Sequence, residues 1–156
     1  MAVSQWFASI VDRGDLQSVW PVTDEPLRLA LLQSWILSES IASIGDRVQL
    51  AESLVASVDA PRWNEFEVWR LSRWRQITFR EAVERGWGVL SVPEPVGQDA
   101  EFVRICPGNE FREVAAGQTI RAYTFVARLS EDGWRVAGIG RTIPAPGWPP
   151  TERVIY

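Results

Sequence analysis

Apolar residues recur at helical spacing up to Gly86 and then alternate in twos, so a helical half of the chain is followed by a strand half. Val3, Phe7 and Ile10 or Val11 share one side of a short amphipathic helix over 3–13, and Gly14 stops it. The segment DLQSVWPVTDEP reads as a compact turn in which Pro21 biases Trp20 away from helical dihedrals. Thr23 or Asp24 is placed to cap the next helix and Pro26 is tolerated in its first turn, which predicts a helix from about Pro26 to Leu37. Leu27, Leu31, Ser34 and Trp35 line one side of it. Leu29, Leu32 and Ile36 cover much of the rest, so burial on more than one face is expected. Gly45 and Asp46 break the pattern. Asp46 followed by Gln49 resembles a capping arrangement, and Leu50, Leu54, Val55 and Val58 predict a third helix over about 46–57.

Asp59-Ala60-Pro61 restarts the chain. Trp63, Phe66, Trp74 and Ile77 then fall within one helical sector, with Leu71 at its edge and Trp69 outside it. One helix, or two short ones joined near Leu71-Ser72, fits 62–79. FREAVERG adds a last turn or a short separate piece ending at Gly86. Period-two segments predict strands at 87–92, 101–106, 119–129 and 134–143, with room for a short strand at 110–114. The SEDG turn at 130–133 makes the last two long strands a hairpin, because it leaves no space for a crossover, and an antiparallel sheet follows. Tyr123, Phe125, Ala127 and Leu129 occupy one face of 119–129, while Ala122, Thr124 and Val126 make the other partly apolar. A helical layer covers one face in this reading. A second subunit or the C-terminal APGWPPTERVIY segment covers the other. The fold class is α+β, in a single domain over 1–156.

Composition narrows the chemistry more than it reveals it. With no histidine, no lysine and Cys106 as the one cysteine, a single subunit holds no internal disulfide, Cys/His zinc cluster or Ser-His-Asp triad. It likewise holds no Cys-His pair, Schiff-base lysine or Walker loop. No spacing argues for a carboxylate metal site, so neither metal nor cofactor is expected. GIG at 138–140 leads into arginine and prolines rather than a helix, outside the context of a dinucleotide loop. The first residues carry no basic region before their short apolar stretch, and no run approaches about 18 apolar residues, so neither export nor a membrane span is expected. The lone cysteine fits a reducing, cytoplasmic setting. Net charge is −4, and the six arginines of 61–85 are interspersed with Glu65, Glu67, Glu81 and Glu84, so no nucleic-acid partner is expected.

The segments FASIVDRGDLQSVWPVTD and TIRAYTFVARLSEDGWRVAGIGR give the order of an opening helix, a capped second helix, a tryptophan-rich third region and a closing hairpin. In this the chain resembles the nuclear transport factor 2-like superfamily, the SnoaL-like or cystatin-like cone fold. The resemblance implies N-terminal helices packed on a strongly curved, cone-like sheet, and homodimers formed through that sheet. Enzymes of the superfamily include isomerases, dehydratases, cyclases and epoxide hydrolases, commonly with an Asp-His pair or an Asp-Arg-Asn arrangement inside the cone. The absence of histidine departs from the first of these patterns.

The nine tryptophans invite two readings. Trp20, Trp35, Trp63, Trp74, Trp87 and Trp134 build a deep aromatic cavity, or they fill the interior between helices and sheet. Tyr123 either presents its hydroxyl to a ligand or developing oxyanion, or is a core tyrosine. Arg121, with Arg104 and Arg141 on neighbouring strands, favours a carboxylate or phosphate ligand if the guanidinium groups converge, and makes ion pairs or lies on a solvent or dimer face if they do not. The candidate ligand-binding residues are thus Trp20, Trp35, Trp63, Trp134, Tyr123 and Arg121. Asp24 and Asp46 are explained as helix caps. Glu101 acts as a base only if burial raises its pKa, and Cys106 is a small strand residue or a thiol activated by arginine. The leading function is a domain that binds a small apolar or aromatic ligand or acts through self-association as a homodimer. An Asp/Arg/Tyr isomerase or hydrolase and a protein-interaction module are the alternatives.

Overall fold

The computed structural model describes residues 2–43, 45–90, 92–108 and 121–156. The helices are α1 (Ala2–Ala8), α2 (Glu25–Glu39), α3 (Arg47–Ala56), α4 (Trp63–Arg73) and α5 (Arg80–Arg85). The strands are β1 (Trp87–Val89), β2 (Glu94–Pro95), β3 (Ala100–Pro107), β4 (Tyr123–Ser130), β5 (Gly133–Ile139), β6 (Thr142–Ala145) and β7 (Thr151–Val154). The strand expected at 110–114 lies outside the described residues.

The first helix widens into a π turn over Ser9–Arg13 before Gly14, at φ +61°, ends it. A 3₁₀ turn, Gln17–Val22, runs straight through Trp20-Pro21 where a break was expected. Burial outweighs the local bias there: Trp20 is 2% exposed and its indole N–H donates to the Leu54 carbonyl at 3.1 Å. Asp24 takes the N-cap position of α2, but its side chain does not cap; it pairs with Arg128 on β4 at 3.2 Å. Its own N–H donates to the Val136 carbonyl, tying the helix start to β5. Asp46 likewise precedes α3 without a side-chain cap, and its carboxylate accepts from the Ser43 hydroxyl at 2.6 Å.

The segment 62–79 departs from a regular helix at one place. Helix α4 runs on into a π turn over Trp74–Thr78, closed by the Phe79 N–H donating to the Trp74 carbonyl at 2.7 Å. The extra residue in that turn rotates everything after it, so Ile77 leaves the apolar sector assigned to it and is exposed.

The sheet is antiparallel and open, in the order β1-β3-β4-β5, with β2 pairing β3 as well. It is neither closed nor strongly curled. This overturns the cone-like fold and, with it, the resemblance to the nuclear transport factor 2-like (SnoaL-like) superfamily. The α+β class stands. The reason for the difference is visible in the predicted strand 134–143, which the structure splits. A Cβ at Gly138 would lie 2.0 Å from the Thr142 carbonyl oxygen, and Gly140 has φ +86°. The chain therefore doubles back at this corner, and β6 pairs with β7 in a separate two-stranded hairpin instead of prolonging the sheet.

Helices and sheet share one apolar core. Val103, Ile105, Phe125, Ala127 and Val136 face the helices, joined by Trp6, Phe7, Trp20, Trp35, Trp63, Phe66, Trp74 and Phe79. On the far face Phe102, Val126 and Ala137 are buried against Val96, Ala100, Ile143 and Ile155. The C-terminal segment thus covers the face that offered a dimer contact, and Val126 is fully buried within its own chain.

Candidate functional site

The end of α4 and the first residue of the π turn after it carry Trp69, Arg70, Arg73 and Trp74, two pairs at i,i+4 spacing. Their side chains alternate as cation and ring. Arg73 lies 4.6 Å from the Trp69 ring, Arg70 lies 4.6 Å from the same ring, and Arg70 lies 4.9 Å from Trp74. Both ends of the stack are anchored. Glu39, the last residue of α2, accepts from the Trp69 indole N–H at 2.9 Å and approaches Arg73 at 3.9 Å. Trp74 packs edge-on against Trp6, whose own N–H donates to the Thr23 hydroxyl at 3.0 Å.

Among the described residues Arg70 is left without a carboxylate. No described residue forms an ion pair with it, and its Nε is buried with no hydrogen-bond acceptor. Burial, with the like charge of Arg73 behind it, pushes its pKa down to about 10, so it remains a cation at neutral pH.

Arg70 lines a cleft of about 280 Å³ between α2, the Trp74–Thr78 turn and the β6–β7 hairpin. Leu27, Ala30 and Leu31 of α2 supply an apolar wall, Ile139 and Pro144 continue it, and hydroxyls enter from Ser34, Thr78, Thr142 and Thr151. The hairpin is held against α2 by the Gly147 N–H, which donates to the Gln33 side-chain oxygen at 2.8 Å. Glu152, on exposed β7, is the one acid on the wall. A shallower groove shares Thr78 and Ile139 with this cleft and passes Tyr123 and Arg141.

The residues singled out from sequence do not meet at this cleft. Trp20, Trp35 and Trp63 are each at most 3% exposed and gather around Phe66, with ring centroids 4.9–5.6 Å apart. They fill the interior. Trp134 is partly exposed at the tip of the β4–β5 hairpin, opposite Leu129. Arg121 is exposed and 3.6 Å from Glu81; Arg104 pairs with Glu94, and Arg141 sits over the Phe102 ring at 4.7 Å, so each of these arginines has a separate partner. Tyr123 packs between Phe7 and Phe79. Burial, and then the Glu81 charge, raise its pKa, opposed by the Ala82 backbone and Arg121. Burial also raises the Cys106 pKa, which disfavours the thiolate and fits a small strand residue. Among the described residues no group of three or more His, Cys, Asp or Glu could hold a metal ion, and no helix is long and apolar enough to cross a membrane.

The sequence places Trp74 in an apolar helical sector and among the tryptophans of a possible cavity, and singles out no role for Arg70. The signal was present as the run Trp69-Arg70-Leu71-Ser72-Arg73-Trp74, in which each arginine falls four residues from a tryptophan. No family model matches the chain, and no curated protein or solved structure matches it.

Proposed function

We propose that this chain is a small-molecule-binding domain whose ligand has a short apolar or aromatic body and lies between α2 and the C-terminal hairpin. One observation supports this above others: the cleft of about 280 Å³ joins a leucine-lined wall to several hydroxyl groups. Its volume is near the lower end of the roughly 300–1,000 Å³ common for ligand pockets. The body of such a ligand would cover Leu27 and Leu31, and the hydroxyls of Ser34 and Thr142 would orient its polar end. Glu152 stands as a single exposed acid at the rim. The wall offers no acid–base pair of the kind an isomerase or hydrolase would use, so binding is favoured over turnover.

The test is a titration of benzyl alcohol followed by NMR, in the wild type and in Ser34→Phe. Ser34 is half-buried on the cleft wall, so the added ring fills the space without replacing a core side chain. Saturable shifts of the Trp74 indole signal are expected in the wild type, with affinity at least about tenfold weaker in the variant, a loss of about 1.4 kcal/mol. Unchanged affinity in a folded Ser34→Phe protein would place the ligand elsewhere. If copies of the chain associate, they do so through a surface other than the Val126 face, which is closed within the chain.

A further inference from the structure

Arg70 defines what the cleft's ligand must carry. Resting on the cleft reading above, we infer that the ligand is a small oxyanion, a carboxylate or phosphate ester on an apolar body, and that the Arg70 guanidinium is its receptor. A guanidinium presents five donors in a planar fork matched to carboxylate and phosphate oxygens. Taking one out of water without a partner is costly, and a cation so placed is completed by an anion from outside the chain.

The acids around it are committed elsewhere. Glu39 serves the Trp69 indole and Arg73, and Glu65 pairs with Arg62 at 3.0 Å. Glu67 accepts from the backbone N–H groups of Leu16 and Gln17 at 3.2 and 2.9 Å. Arg70 itself is fixed in direction by the two indoles that flank it, so the ordering cost of a long flexible cation is met before a ligand arrives. Trp69 and Trp74 are positioning residues in this arrangement. The π turn that begins at Trp74 brings Thr78 onto the same wall, where its hydroxyl can donate to a second oxygen of the anion. Glu152 at the mouth favours an anion that enters headgroup first and leaves an uncharged body outward.

Calorimetric titration of four probes tests this: phenylacetate, phenyl phosphate, benzyl alcohol as the neutral counterpart, and inorganic phosphate. In the wild type, one or both aromatic anions should bind at least about tenfold more tightly than benzyl alcohol, the scale of a hydrogen bond to a charged group. Phenylacetate as the tighter of the two identifies a carboxylate ligand, and phenyl phosphate a phosphate ester. In Arg70→Met the ratio of anion to benzyl alcohol affinity should fall to about one, whatever the affinity for benzyl alcohol itself becomes. Equal binding of anions and benzyl alcohol in the wild type overturns the inference and leaves the small-molecule reading intact. An undiminished preference in Arg70→Met also overturns it. Inorganic phosphate bound as tightly as phenyl phosphate would keep Arg70 as receptor but remove the case for an apolar body, and binding of none of the probes sinks both readings. Should Arg70→Met fail to fold, Arg70→Gln, which removes the charge but keeps a polar side chain, is judged by the same ratio.

Discussion

Two groups of tryptophans lie along the same helical region and do opposite work. Trp20, Trp35 and Trp63 close around Phe66, ring edge against ring face, and are shut away from solvent. Trp69 near the end of α4 and Trp74 at the start of the π turn that follows turn their faces to arginines, and one of those arginines borders a cleft. The first group removes hydrocarbon from water and gains edge-to-face contacts. The second uses the negative faces of the rings to hold a positive charge in a fixed place. What separates them is how close the cation comes: Arg28 and Arg62 stand 6.0 and 5.8 Å from the Trp20 and Trp35 rings, whereas Arg70 and Arg73 lie 4.6–4.9 Å from Trp69 and Trp74. A tryptophan is therefore no guide to a binding site until its partner is known.

The largest expected effects come from breaking the closed group. Trp35→Ala and Trp63→Ala should each lower stability by about 3–5 kcal/mol, the usual cost of emptying a packed aromatic site. Trp69→Ala should cost about 1–2 kcal/mol, the sum of its partly exposed cation–π contacts with Arg70 and Arg73 and one hydrogen bond to Glu39. Urea unfolding of the three variants under two-state conditions measures the contrast. Equal losses in all three would erase it. Trp63→Phe adds a finer reading, because the Trp63 N–H is buried without an acceptor while that of Trp20 is bonded to Leu54. Removing the unsatisfied donor should cost less than removing the bonded one in Trp20→Phe.

The helical placement of Trp35 and Trp63 was legible in the sequence, although the same residues and Trp20 also stood as ligand-binding candidates; the cleft was not legible, for physical reasons. Trp63 and Phe66 fall on one helical sector with Trp74, and period alone carries that pattern into the core. The α2 helix was equally readable, since Leu27, Leu31, Leu32, Trp35 and Ile36 predict burial on more than one face and all five are buried. The cleft depends on two departures from regular geometry. One is the π turn at Trp74–Thr78, which shifts the helical phase so that Ile77 points outward and Thr78 joins the cleft wall. The other is the reversal at Gly138 and Gly140, which takes β6 out of the sheet and makes it a wall of the cleft. Alternation continued past this corner on paper, and the C-terminal residues read as a cover without strands of their own. The same corner separates the open sheet from the cone that the order of elements had suggested. Asp24 shows a smaller version of the limit: its position was readable, but its partner Arg128 is 104 residues away.

Arg70→Met sharpens the comparison from the other side. Deleting the cation gives up its contacts with two indole rings, and it also relieves the burial of an unpaired charge. These opposing changes should leave stability within about 1 kcal/mol of the wild type, well below the loss at Trp35. The depressed pKa of Arg70 gives the sign of the burial cost. The unfolded chain binds this proton more strongly than the folded one, so the group lowers stability at neutral pH, and that penalty fades as pH rises from about 10 towards the ordinary guanidinium range. Urea midpoints at neutral pH decide the matter. A loss of more than about 2 kcal/mol would make Arg70 a structural cation held for its stacking alone.

Tyr123 stands between the two kinds of site and gives the smallest effect. Its ring packs with Phe7 and Phe79 in the core, yet the residue also borders the shallow groove beside the cleft. Burial raises its pKa above the ordinary 10.0, and the Glu81 charge adds to the rise against the Ala82 backbone and Arg121. The chain has one other tyrosine, Tyr156, which is fully exposed, so Tyr156→Phe leaves a protein in which phenolate absorbance reports Tyr123 alone. Its titration midpoint should lie above that of free tyrosine, near 10. A raised folded pKa means that the neutral phenol contributes its full stability below the unfolded value, and that this contribution is lost as pH rises through the folded one. Tyr123→Phe should therefore flatten the alkaline fall in stability without changing the neutral-pH value much. A midpoint at or below that of Tyr156, read in the Tyr123→Phe protein, would mean that the hydroxyl is solvated or faces a cation. Tyr123 would then belong with Trp69 and Trp74 as part of a charge-bearing surface, and not with the closed aromatic group.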